Sequence, residues 1–204
     1  MAGRYAILLD GGFVTRRLWI RSRRFPTPQD VLGESARISA HPGLEGLSLL
    51  RIYYYDAPPA TTVVTHPLTG KTLSLARTPA HATRSRFQEE LELMPDVALR
   101  KGELMVRGWR LRMGALREIA RTRRQLGPED LELDLVQKGV DLRIGLDIAR
   151  LALRQLVEIL VVVTGDSDLV PAFKFARREG LRVILDHLGG PVKRELKAHA
   201  DLVL

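Results

Sequence analysis

The sequence predicts an α/β fold in which a mainly parallel sheet carries helices on both faces. Two observations predict it. Short apolar runs such as "RYAILL" (4–9), "EILVVV" (158–163) and "LRVILD" (181–186) recur along the chain. The first is continuous rather than alternating, as in a strand buried on both faces. Between such runs lie segments of helical character, so strand follows helix follows strand, the order that gives a parallel sheet.

Taken in order, a strand at 4–9 ends on Asp10-Gly11-Gly12, and a helix follows from about Phe13 to Arg23. Residues 29–40 read as a second helix. "LSLLRIYYYDAPP" gives a strand near 49–55, stopped by Asp56 and two prolines. Residues 57–80 are rich in proline and threonine without sustained periodicity, and read as an irregular insertion or flap. A helix near 81–93 follows. "DVALRKGELMVRGWRL" alternates on either side of Lys101-Gly102, the pattern of a β-hairpin. A basic helix covers about 113–125 and stops at Gly127-Pro128. After a short extended piece comes a helix at about 140–154, then the 158–163 strand. "LVPAFKFARREG" is a helix closed by Gly180, and "LRVILD" is a strand. "PVKRELKAHA" is a short helix opened by Pro191, and "DLVL" reads as an edge strand. The whole is read as one domain, 1–204, with a less regular insertion at about 57–130.

The chain has 204 residues, enough for one α/β core. It has no cysteine, which excludes disulfides and thiolate zinc sites. No apolar run approaches the roughly 18 residues that span a bilayer, so no membrane partner is expected. The run Tyr5–Leu9 is too short for a signal peptide and ends on an aspartate, so the expected location is cytoplasmic. The formal charge is +8, which points toward a polyanionic partner. No G-x-x-x-x-G-K-[ST] loop, G-x-S-x-G motif or zinc-spaced histidine pair occurs.

Carboxylates mark the strand ends. Asp10 and Asp56 close two strands, Asp166 and Asp168 follow a third in "VVVTGDSDLVP", and Asp141 sits in the first turn of a helix. In a parallel sheet these exits lie along one edge, where ligands bind. Two carboxylates about 4 Å apart repel by roughly 4 kcal/mol at an effective dielectric near 20. A cluster must take up protons or a cation, and hard ions such as Mg²⁺ or Mn²⁺ suit oxygen donors. Each acid also has a local explanation: Asp168 as a helix cap, Asp141 as a partner of a helix dipole, Asp10 and Asp56 as turn residues. Their coincidence at one edge favours a shared site.

"AILLDGG", "YYYDAPP", "QKGVDLRIGLDIARLA" and "VVVTGDSDLVPAFKFARREGLRVIL", in that order, resemble the NYN domain family in its LabA-like branch, within the wider PIN-like nuclease group. Residues 57–135 match least. The resemblance implies a Rossmann-like (PIN-like) α/β/α sandwich, a carboxylate cluster holding Mg²⁺ or Mn²⁺, and cleavage of RNA. By motif, Asp10, Asp141, Asp166 and Asp168 are the implied catalytic and metal-binding residues. Asp56 is implied as an auxiliary, with Thr164 and Ser167 flanking the "GDSD" acids. Asp147 lies six residues beyond Asp141, about 240° around a helix, and ranks below them. The chain departs from the family at Phe13, where many members carry asparagine. That departure opens an alternative: an RNA- or partner-binding regulator of the same fold with weak or lost catalysis.

Arg16, Arg17 and Arg21 crowd the first helix. Arg117, Arg121 and Arg124 follow i, i+4, i+7 spacing, so they are expected on one helix face. Both groups are candidates for holding RNA phosphates. Trp109, Tyr54 and Tyr55 are either base-stacking or core residues. A homodimer is one option that the sequence leaves open.

Overall fold

The computed structural model describes residues 3–204. In chain order its principal elements are β1 (Arg4–Asp10), α1 (Gly11–Ser22), α2 (Pro28–Ser39), β2 (Ser48–Asp56), β3 (Val63–Thr65), β4 (Thr72–Ser74), α3 (Pro79–Glu92), β5 (Val97–Lys101), β6 (Glu103–Leu111), α4 (Ala115–Thr122), β7 (Leu131–Lys138), α5 (Val140–Leu153), β8 (Ile159–Val163), α6 (Val170–Arg178), β9 (Arg182–Asp186), α7 (Arg194–Ala198) and β10 (Leu202–Val203). Six strands form a parallel sheet in the order β10-β9-β8-β1-β2-β5.

Side-chain alternation in the central strands builds two cores. Ala6, Leu8, Leu160 and Val162 face α5 and α6, with Ile144, Ile148 and Phe173 opposite them. Ile7, Leu9, Val161 and Val163 face the other way, against Val14, Val31, Phe87 and Leu91 of α1, α2 and α3. A strand that alternates between two buried faces is apolar at every position, which is why β1 and β8 read as unbroken runs. The sheet is therefore covered on both sides, as a Rossmann-type α/β fold requires.

Helix α1 starts directly from β1. Asp10 caps it, its Oδ1 accepting from the Phe13 N–H at 3.2 Å. Gly11 permits the close approach: a Cβ there would stand 2.5 Å from the Tyr55 carbonyl oxygen and 2.6 Å from the Tyr54 ring.

The middle of the chain differs from the sequence reading. Residues 97–111 are not a hairpin. β5 pairs parallel with β2 and extends the central sheet, while β6 pairs antiparallel with β7 as a separate ribbon. The Gly102 N–H donates to the Asp56 carbonyl at 2.7 Å, where the chain leaves one sheet for the other. Alternation identified the strands, but it does not encode which strand pairs with which. Within 57–80 the chain forms the small β3–β4 hairpin. The Trp109 Nε1–H of the ribbon donates to the Thr65 carbonyl at 2.9 Å and ties the hairpin down. Helix α4 is shorter than expected because Gly114 and Arg123, both left-handed, bracket it. No described helix is long and apolar enough to cross a membrane.

Candidate active site

β1 lies between β2, which follows it in the chain, and β8, which comes much later. The winding reverses there, and the crevice at the carboxyl ends of such a strand pair is the favoured ligand position in open α/β sheets. The structure brings Asp10, Asp166, Asp168 and Asp141 to this crevice. A hydrogen-bond relay links the first three. Thr164, fully buried, donates from Oγ1 to Asp10 Oδ2 at 3.0 Å and accepts from the Asp166 N–H at 3.1 Å. Asp166 Oδ1 accepts from the Asp168 N–H at 2.9 Å and caps the short turn Ser167–Leu169, which Ser167 opens. Asp141 arrives from the first turn of α5, where Gly139, with φ 71°, lets β7 turn into the helix.

The four acids share one electrostatic condition. Among the described residues none of them pairs with a lysine, arginine or histidine; every ion pair involves other carboxylates. Burial raises the Asp10 pKa against the opposing hydrogen bonds from Phe13 and Thr164, and the charges of Asp141 and Asp166 raise it further. Burial also raises the Asp141 carboxyl, helped by Asp166 and Asp168, and no hydrogen bond opposes the shift.

Among the described residues no three acidic or histidine side chains stand close enough to enclose one metal ion as placed. The donor set is nonetheless all oxygen and free of competing cations. That suits an ion such as Mg²⁺, which keeps several waters and takes one or two carboxylates directly. Beside the acids lies a cleft of about 400 Å³, lined by Asp10, Phe13, Arg16, Arg17, Gly165 and Asp166 among others. Phe13 is half-buried, packs against the α1 face of the core and closes over Gly165.

Other acids fare differently. Asp56 is buried, and three N–H donors occupy its oxygens: Ala57 at 2.8 Å and Gln137 at 2.8 Å on Oδ1, and Gln88 at 2.9 Å on Oδ2. It ties the end of β2 to α3 and β7. Asp147 accepts from the Tyr55 hydroxyl and from Arg100 Nε, both at 3.0 Å, away from the cluster. Sequence reasoning passed over Gln88 and Gln137, which carry no motif. It also passed over Asp186, although "VILD" repeats the pattern of "AILLD". Asp186 is buried and paired with Arg37.

The arginines divide as well. Arg16 is exposed on the cleft. Arg17 lines it too, and donates through Nε and Nη2 to the Leu188 carbonyl at 3.2 and 3.1 Å. Arg21 is bound to Glu34. Arg117 and Arg121 are exposed on α4, but Arg124 lies beyond the helix and makes a bidentate pair with buried Asp130, both bonds 2.5 Å. The expected shared face of three is therefore a face of two. Tyr54 and Tyr55 are fully buried and are not presented to a base, and half-buried Trp109 packs on His66.

No functionally curated protein matches the chain significantly. The fold is shared with the crystal structure of a protein of unknown function from Vibrio parahaemolyticus, with a TM-score of 0.54 at 13% identity, covering 100% of this chain and 92% of that one. The model of the NYN domain matches residues 107–203, a span that contains Asp141, Asp166 and Asp168 and begins after Asp10 and Asp56. By that match the carboxyl-terminal half of the chain is similar to the NYN domain family, which suggests a nuclease-like fold.

Proposed function

We propose that this chain is a divalent-metal-dependent endoribonuclease, of the LabA-like branch, in which Asp10, Asp141, Asp166 and Asp168 hold Mg²⁺ or Mn²⁺. One observation carries the reading. In a chain of net charge +8, four neighbouring carboxylates at the sheet switch point have no basic partner among the described residues. Arginine is abundant enough to neutralise them, and elsewhere in the chain it does so.

When bound, the ion supplies Lewis acidity: it activates a water and neutralises charge on the phosphodiester. The chain's own residues do the rest. Thr164 fixes the angle between Asp10 and Asp166 through its two hydrogen bonds. Asp141 enters from α5, on the sheet face shared with α6 and opposite α1, and completes the negative field. Arg16 stands at the cleft to receive a phosphate of the RNA backbone. Arg17, anchored on the Leu188 carbonyl, holds the cleft wall.

A second reading rests on Phe13. A ring in place of an amide removes a hydrogen-bonding neighbour from the site, which favours a protein that binds RNA and cleaves it poorly. End-labelled single-stranded RNA incubated with Mn²⁺ or with EDTA, using wild type and Asp166→Asn, separates the two. The nuclease reading expects cleavage with Mn²⁺ that falls about 100-fold or more in the variant. RNA retention without cleavage in both proteins supports the second reading, and neither binding nor cleavage sinks both.

A further inference from the structure

We infer that a second cleft, walled by residues 57–80 and the β6–β7 ribbon, is a nucleobase subsite that takes the base of one nucleotide of a bound RNA chain. The inference rests on the RNA reading above and deepens it. The cleft has a volume of about 420 Å³, within the range of roughly 300–1,000 Å³ typical of small-molecule sites.

Its position is the first argument. Ala57, the residue after Asp56, and Gln137, whose amide holds Asp56, both line it. A Cβ on Gly12 would stand 3.3 Å from Gln137 Oε1 and 3.6 Å from Asp10 Oδ1, so one exposed glycine separates this cleft from the acids. A polynucleotide whose phosphate lies at the acids has a neighbouring base within reach.

The lining is the second argument. Leu75, Leu104, Leu133 and Leu135 supply apolar walls, which can sandwich the faces of a base. Thr78, His81 and Gln137 supply a few polar groups for its edge. Arg84, also on the lining, is exposed and has no carboxylate partner among the described residues; its guanidinium rests 5.6 Å from the Phe25 ring centroid. An unpaired guanidinium beside an apolar slot complements a nucleotide, apolar on its base faces and anionic at its phosphate. A purely aliphatic ligand would leave the Arg84 guanidinium without an anionic partner. The wall is also held in place: Trp109 fixes the Thr65 carbonyl, and the His66 ring lies 3.2 Å from the Pro128 carbonyl oxygen.

The test uses methyl NMR of the full chain, titrated separately with AMP, GMP, CMP, UMP and decanoate in EDTA. The expected result is saturable shifts of the Leu75, Leu133 and Leu135 methyls with at least one nucleotide. Those shifts should need about tenfold more ligand in Arg84→Ala and in Ala80→Trp, the second of which places a ring at the exposed rim. Ala80→Trp is checked for folding by its methyl spectrum, and Arg84→Ala is a surface change that tests the idea alone if needed. Absence of shifts with all four nucleotides, shifts unchanged in Arg84→Ala, or saturation by decanoate alone overturns the inference. The readout does not involve cleavage. Nucleotide binding without nuclease activity sinks only the nuclease reading, and cleavage without these shifts sinks only the subsite.

Discussion

Asp10 closes β1 and Asp186 closes β9, two strands away on the same edge of the sheet. Both follow an apolar run; Asp186 is buried and Asp10 is half-buried. Asp186 is neutralised: Arg37 pairs with it, the Leu188 N–H caps it at 2.8 Å, and Arg37 and Arg21 together also serve buried Glu34. Among the described residues Asp10 receives only neutral donors, and the charges of Asp141 and Asp166 lie near it. An acid at a strand exit is therefore not in itself a site. What separates the two regions is whether the fold delivers a cation. At β9 it does, and the result is a structural staple. At β1 it does not, and the result is a field that an outside cation can satisfy.

The sharpest contrast comes from removing the charge in each region. Asp10→Asn and Asp141→Asn should each lower metal-dependent RNA cleavage by about 100-fold or more. Asp186→Ala should leave cleavage intact while lowering unfolding stability by about 1–3 kcal/mol, read by urea denaturation. Equal losses of cleavage at all three positions would erase the distinction. Thr164→Val comes next. It keeps the shape but removes the donor to Asp10 and the acceptor for Asp166, and should cost roughly 10–100-fold in activity, together with weaker Mn²⁺ binding by calorimetry.

A third variant makes the first region resemble the second. Asp168→Lys places an ammonium among the acids. Mn²⁺ binding should be lost, while the melting temperature in EDTA rises by about 1–3 °C; a lower melting temperature would mean that the acids do not strain the metal-free fold. The smallest effect is in pH. Because the Asp10 carboxyl is raised in the fold, the folded state holds its proton at pH values where the unfolded chain has released it. Metal-free stability should thus fall as pH rises from the ordinary carboxylate value of about 3.9 through the raised folded one. Asp10→Asn retains a helix cap and should lack that slope. Mn²⁺ affinity should weaken over the same window as pH falls, since the ion competes with the proton.

Much of this was legible in the residues. The central strands, α5 and α6 were marked by apolar runs and helical spacing, which depend on near neighbours. The four acids of the crevice were found because a parallel sheet puts every strand exit on one edge. The ribbon was not legible: 97–111 alternates as a hairpin does, yet its halves join different sheets. Gln137, Gln88 and Arg37 could not be singled out, because each acts on an acid 81, 32 or 149 positions away.

By itself, then, the sequence determined which segments are strands and helices and where acids leave the sheet, since propensity and periodicity are local. Only the tertiary structure decided which of those acids are met by a cation or an amide and which are left exposed to one another. Charge compensation depends on distance in space, and in this chain the compensating groups come from elements far along the backbone.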